Sequence, residues 1–380
     1  MAQRVKTDWM LFFTILIMVA FGLVMVYSAS SVMAEIRYHS PSHFISRQLV
    51  WAVVSFFILM YLKRQDYRRF QDPTWAFTGL GIVLMMLMAV YVLDGRTHRW
   101  FRIPLLGSLQ PSEFAKPVLV IFLAWFISNR AEMINHKRTL YLAAMALGML
   151  AILVGIADLG TAIVLAVTAA VMFYVAGLDR RYVMMALAAG GMLAVFFVVS
   201  KPYRLARIVG YIDPNYTILN YVDPSGGIKN YVNESVTTRD TSYQPRQSRI
   251  AVGSGGLLGL GLMQGRQKLL YLPEAHTDYI YAVVGEELGT FGCGALLAGF
   301  FIIFWRGLRV FWLAPDDFGK YLALGITTVI VVQAFINMSV VLDLGPSKGI
   351  PLPMISSGGS SLLSTLTSLG LLLSVSEHAG

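Results

Sequence analysis

Six stretches of this chain run for 19 to 22 residues without a charged side chain: Trp9 to Ala29, Pro73 to Leu93, Thr139 to Ala157, Leu159 to Leu178, Tyr182 to Ser200 and Tyr321 to Leu342. A run of about 18 such residues is long enough to cross a bilayer as a helix. Four further spans are less clean. Gln48 to Leu62 is short and extends upstream through Arg47, and Pro111 to Ile127 contains Glu113 and Lys116. Leu288 to Trp305 follows an ionisable stretch, and Ser356 to Val375 opens on Gly and Ser. Charged residues make up 13% of the chain, about half the share of a soluble domain. The expectation is an all-α, polytopic integral membrane protein of ten spans, one transmembrane domain over 1–380, with both termini on one side.

Lys and Arg in the short loops set the orientation. One set of span ends carries Arg4, Lys6, Lys63, Arg64, Arg68, Arg69, Arg130, Lys137, Arg138, Arg180, Arg181, Arg306, Arg309 and Lys320. The opposite set carries Arg37, Arg47, Arg96, Arg99, Arg102 and Lys348. The richer set belongs in the cytoplasm, with both termini, and the long 201–275 segment becomes an extracytoplasmic loop. The first span is too long for a cleavable signal peptide. The single Cys293 lies in an apolar run and has no disulfide partner in the chain.

The outer face holds most of the polar chemistry. The loop Asp94-Gly-Arg-Thr-His-Arg-Trp-Phe-Arg102 places three arginines against the orientation rule. Arg binds phosphate bidentately; anchoring at the lipid interface, with Trp100 and Phe101 among headgroups, serves as well. The 201–275 loop holds nine basic residues, among them Arg204, Arg207, Arg246, Arg249, Arg266 and Lys268, against five acidic ones. Such a surface suits a diphosphate, and equally suits anionic lipid. Asp213-Pro214, Asp223-Pro224 and Ser225-Gly226-Gly227 mark turns, so its first part is expected to be irregular. Gly253 to Gly265 is glycine-rich without a βαβ context, so it is no nucleotide fingerprint, and no nucleic-acid partner is expected. It suits close helix packing in the membrane.

Ionisable groups at membrane depth point to function. Glu113 and Lys116, three apart, share a helix face and can pair, either as a packing device or as chemistry. Asp158 stands where it can cap the sixth helix. Asp278 lies in Leu272-Pro-Glu-Ala-His-Thr-Asp-Tyr-Ile-Tyr281, where the basic loop returns to the membrane. Partial desolvation there raises a carboxylate's pKa toward that of a general base; helix capping is the alternative role. His276 has no second ligand at metal spacing.

Several of these residues sit in a recognisable pattern. Gly22-Leu-Val-Met-Val-Tyr-Ser-Ala-Ser30, Arg99-Trp100 with Gln110-Pro-Ser-Glu-Phe-Ala-Lys116, and Asp158-Leu-Gly-Thr161 occur in order. Leu272 to Gly289, with its Ala-His-Thr-Asp and Gly-Glu-Glu-Leu-Gly runs, and Pro346 to Ser361 complete the series. Over the whole chain this resembles the SEDS family of shape, elongation, division and sporulation proteins, its division member more than its elongation member. Two departures are a longer outer loop between Asp213 and Tyr243, and Ser357 where the family often has Tyr. The resemblance implies ten spans, peptidoglycan polymerase activity on lipid II, and partnership with a class B penicillin-binding protein transpeptidase within a division or elongation complex, in the bacterial inner membrane. It also implies that Asp278 is catalytic and that Trp100, Glu113 and Lys116 are functionally important, with Arg99 matching the arginine beside that tryptophan.

On that reading Asp278 takes the proton of an attacking sugar hydroxyl. Cations drawn from Arg99, Arg204, Arg207, Arg246, Arg249, Arg266 and Lys268 meet the departing diphosphate. A divalent cation could assist, although no ligand cluster is visible in the sequence. Two rivals stay open. A lipid II flippase fits many helices with intramembrane Glu113 and Lys116, and a non-catalytic scaffold would only organise division proteins. Long glycan made in detergent, where no leaflets exist, separates the first from a polymerase.

Overall fold

The computed structural model describes residues 7–95, 97–103, 107–213, 217, 221, 223, 226–227, 231, 243–269 and 271–379. Arg96, Lys229, Glu234, Arg239, Asp240 and the expected turns at Pro214 and at 224–225 lie outside the described residues. Nine helices among those described are long and apolar enough to cross a membrane. They are α1 (Trp9–Tyr38), α2 (His43–Arg64), α3 (Pro73–Leu93), α4 (Pro111–Ser128), α5 (Lys137–Ala157), α7 (Arg180–Val199), α10 (Ile280–Leu313), α11 (Asp317–Val341) and α12 (Gly359–Ser376). The tenth expected span is the shorter apolar helix α6 (Leu159–Val175). Within the long loop the helices α8 (Pro202–Ile212) and α9 (Tyr243–Gly255) can be described. The chain is a multi-pass membrane protein.

Local chemistry sets the helix starts. Asp8, Asp72, Asp158 and Asp316 accept backbone N–H groups in the first turns of α1, α3, α6 and α11. Pro73, Pro111 and Pro202 open their helices, where a missing N–H costs nothing. The outer loop, expected to be irregular in its first part, opens instead on a helix. Its first eleven residues after Lys201 form α8, because apolar side chains recur at helical spacing before Pro214.

Burial sorts the bundle into a centre and a rim. In α4, α11 and α12, 67–83% of the best spanning window is buried, against 6% in α7. One end of the bundle gathers both termini: Thr7 donates to Glu377 at 2.9 Å, Lys63 pairs with Glu377 at 3.3 Å, and Arg306 with Asp8 at 2.6 Å. The other end is built from loops. A β-ribbon, β1 (Phe101–Ile103) with β2 (Gly107–Leu109), closes the loop before α4. The segment 346–358 runs back into the bundle without regular structure, burying Ile350, Leu352, Met354 and Ile355.

The glycine-rich stretch is spliced into α10. Gly289 has φ 64°, ψ −162° and breaks that helix. The groups freed by the break find partners in the loop: Leu260 and Gly261 N–H donate to Glu286 and Glu287 O, and Gly256 and Leu257 O accept from Thr290 and Phe291 N–H. Close approach requires glycine here, since a Cβ on Gly259 would meet the Glu287 carbonyl oxygen at 2.2 Å.

Candidate active site

A cavity of about 550 Å3 opens at the loop-built end, within the range of small-molecule sites. Its walls come from four places: Arg99 after α3, Asp158 and Gly160 at the α5–α6 turn, Tyr203, Arg204 and Arg207 of α8, and Pro346 to Gly349. Apolar residues of α6 and α7, including Ile163, Val195 and Val198, complete it. One side is therefore cationic and the other suits hydrocarbon.

Arg99 is turned inward by its own loop. The Asp94 carboxylate accepts the backbone N–H of Arg99 at 3.1 Å and of Trp100 at 3.3 Å. The Arg99 guanidinium reaches Asp158 at 2.8 Å and the Gly349 carbonyl at 3.4 Å, and lies 5.5 Å from the Trp100 ring centroid. Asp158 caps α6 through Gly160 and Thr161 N–H and also accepts from Thr161 Oγ1 and Gln110 Nε2. Burial alone would raise its pKa, but Arg99, the Thr161 donors and Lys116 hold it below the usual carboxylate value.

Asp278 sits behind Gly349. A Cβ placed on Gly349 would lie 2.7 Å from Asp278 Oδ2, so the carboxylate occupies space that only a glycine leaves. Among the described residues the carboxylate accepts no hydrogen bond, and it does not cap α10, whose cap residue is Tyr279. The Asp278 backbone carbonyl accepts from Asn337 Nδ2 at 2.8 Å. The side chain is half-buried, and desolvation pushes its pKa up to about 7. The charges of Glu274 and Asp158 add to the rise, and Arg99 and Arg207 oppose it. A carboxylate poised there serves as acceptor and donor of a proton near neutral pH.

The basic residues named from sequence fall into distinct places. Arg99, Arg204 and Arg207 line the cavity. Arg204, however, is committed to backbone: it donates to Gly155 O at 3.1 Å, Ile156 O at 2.8 Å and Phe197 O at 3.3 Å, tying α8 to the end of α5. Lys268 is enclosed elsewhere, 2.6 Å from Glu287 and 3.0 Å from Ser28 Oγ. Arg249 pairs with Asp343 at 3.2 Å, and Arg246 and Arg266 are exposed. Glu113 and Lys116 pair at 2.7 Å inside the bundle, where Lys116 also donates to Gln333 at 2.7 Å. Among the described residues no cluster of three His, Cys, Asp or Glu is placed to hold a metal.

Four residues at or beside the site escaped sequence reasoning. Lys348 lines the cavity, makes no ion pair among the described residues, and has its pKa lowered by burial against the pull of Asp158. Gln110 joins Asp158 to the start of α4. Asn337 and its neighbour Gln333 are amides four apart in an otherwise charge-free span, a signal that was present in the sequence.

The chain matches the model of the "Cell cycle protein" family FtsW–RodA–SpoVE over residues 8–380. It is 38% identical to the "Probable peptidoglycan glycosyltransferase FtsW" of Geobacter sulfurreducens, covering 94% of this chain and 92% of that protein. It is 35% identical to the stage V sporulation protein E of Bacillus subtilis, over 99% of each. A chain from a solved peptidoglycan synthase complex, described as coordinating polymerization and crosslinking, has a TM-score of 0.72 at 25% identity over 97% of each chain. The rod shape determining protein RodA of Thermus thermophilus has a TM-score of 0.67 at 24% identity, covering 97% of this chain and 96% of that one.

Proposed function

Because this chain belongs to the FtsW–RodA–SpoVE family of cell-cycle proteins, we propose that it polymerises lipid II into glycan strands, as an FtsW-like peptidoglycan glycosyltransferase. Each cycle joins the C4 hydroxyl of one lipid-linked disaccharide to C1 of the lipid-bound chain. The C1–oxygen bond to undecaprenyl diphosphate breaks as the new bond forms, and the hydroxyl proton must leave. Asp278 accepts that proton. Arg99, Arg207 and Lys348 meet the charge that grows on the departing diphosphate, in a site where partial exclusion of water strengthens each contact. Trp100 stacks behind Arg99, while Glu113 and Lys116 fix α4 against α11 through Gln333.

One observation carries this reading: an unbonded carboxylate with a pKa of about 7 stands beside a cavity walled by cations on one side and hydrocarbon on the other. The placement in the cell follows from the chemistry and the loop charges. The protein lies in the inner membrane with both termini cytoplasmic, so that the cavity and the 201–275 loop face outward, where glycan is assembled. A class B penicillin-binding protein would crosslink the product, in company with other division proteins.

The test is glycan formation by purified protein given lipid II in detergent. Asp278→Asn preserves shape and removes the base; its rate is expected to fall by roughly 100-fold or more. A wild-type rate would remove Asp278 from its role.

A further inference from the structure

We propose that Asn337 and Ser356 are positioning residues, which clamp the backbone under Asp278 so that its carboxylate is held against Gly349, at the wall of the cavity, with no protein donor attached. The proposal rests on Asp278 acting as the base. Three successive carbonyl oxygens are held. His276 O accepts from the backbone N–H of Ser357 at 2.9 Å, Thr277 O from Ser356 Oγ at 2.5 Å, and Asp278 O from Asn337 Nδ2 at 2.8 Å. The same two side chains hold the 346–358 segment: Asn337 Nδ2 donates to Ile350 O at 2.7 Å, and Ser356 Oγ accepts from Leu352 N–H at 2.8 Å. The base-bearing and Lys348-bearing segments are thus riveted to each other and to α11.

The chemistry of Asn337 argues for this role over packing. It is 2% exposed and both of its bonds are to carbonyl oxygens, so its amide has only one workable orientation. That orientation leaves Oδ1 buried without a partner, which is destabilising. Leucine has the same branching of side-chain heavy atoms and no oxygen to strand, so filling space gives no reason for an amide. The geometry does give one. An aspartate at the head of a helix can fold over to accept the free N–H groups of the first turn, and such bonds favour the ionised form and weaken it as a base. With residues 276–278 pinned by their carbonyls, Asp278 Oδ2 lies against Gly349 instead.

The experiment measures kcat and KM for lipid II polymerisation, with thermal unfolding in parallel, in Asn337→Leu, Ser356→Ala and Ser356→Thr. Freeing the clamp misplaces the base without touching substrate, so kcat is expected to fall about 10- to 100-fold in Asn337→Leu with KM little changed. Ser356→Ala should lose kcat in the same way, and Ser356→Thr, which keeps the hydroxyl, should recover it. Added to Asp278→Asn, neither Asn337→Leu nor Ser356→Ala should lower the residual rate further, because a positioning residue has nothing left to position. Wild-type kcat in folded Asn337→Leu and Ser356→Ala overturns the clamp, as does a rise in KM alone. If Asn337→Leu does not fold, the Ser356 pair decides. Should Asp278→Asn itself retain full turnover, the base assignment fails first; an inactive Asp278→Asn beside fully active clamp variants sinks the clamp alone.

Discussion

Lys268 and Lys348 lie on two segments that return into the same end of the bundle, yet their surroundings are opposite. The Lys268 ammonium is closed in by Glu287 and Ser28, and its side chain is 3% exposed. Glu287 in turn accepts the backbone N–H of Met263, and Glu286 accepts those of Arg266 and Gln267. The charge is consumed in pinning a glycine-rich loop to the broken helix α10. Lys348 has no ion-pair partner among the described residues and borders the cavity, with Arg99 and Asp158 across from it. A buried pair is strong evidence of a fixed geometry and weak evidence of ligand binding. A half-desolvated cation with no counter-ion is what a diphosphate would complete.

The comparison breaks most readily at Lys268. Lys268→Met strands Glu287 in the interior, and the expected loss is about 3–5 kcal/mol, read as a collapse in thermal stability or in yield of folded protein. Adding Glu287→Met should restore much of it. If the single variant instead stays folded and fails only to bind lipid II, Lys268 belongs with Lys348 after all. Next in size is Lys348→Met, which should leave the unfolding temperature near wild type and weaken lipid II binding about tenfold or more, as loss of a charge-assisted contact does.

The third prediction concerns pH. Only ionised Asp278 can take a proton, so polymerisation should rise as pH passes through about 7. Stability runs the other way. The folded pKa lies above the ordinary value of 3.8, so the folded state holds this proton more tightly than the unfolded chain. The stability it confers is full below about pH 4 and is lost as pH rises through about 7. Asp278→Asn should therefore be inactive and, at pH 8, at least as resistant to thermal unfolding as wild type. The smallest effects belong to the exposed Arg246 and Arg266: alanine at either should shift stability by within about 0.5 kcal/mol and leave KM for lipid II near wild type.

Much of this was legible in the residues. Charge-free runs located the spans, because a bilayer enforces length and apolarity so strictly. Asp278 and Arg99 could be singled out because both stand just outside such runs. The division of the cations could not be read, since it depends on which carboxylate folds back onto which lysine. Glu287 is 19 positions from Lys268, and Ser28 is on the first helix. Arg204 looked like a phosphate ligand for the same reason; its true partners are carbonyls at the end of a helix about 50 residues earlier. Helix ends were also hidden. α1 continues past Ala29 through Glu35 and Arg37, and α10 begins eight residues before Leu288, carrying both glutamates inside the protein where loop donors neutralise them.

Three of the helices that start at the cavity end of the bundle are short: α4 and α12 have 18 residues and α6 has 17, against 30, 34 and 25 in α1, α10 and α11. At 1.5 Å per residue they reach about 26–27 Å, less than the roughly 30 Å of a hydrocarbon layer. The missing length is taken up by polar loops, with Ile350 lying on Gly160 and Ser360 against Gln110. The molecule thus has a sunken floor. Lifting a polyprenyl tail toward water costs about 0.8 kcal/mol for every methylene exposed. A floor set below the headgroup plane lets the sugar phosphate come down to the enzyme while the tail stays at its resting depth.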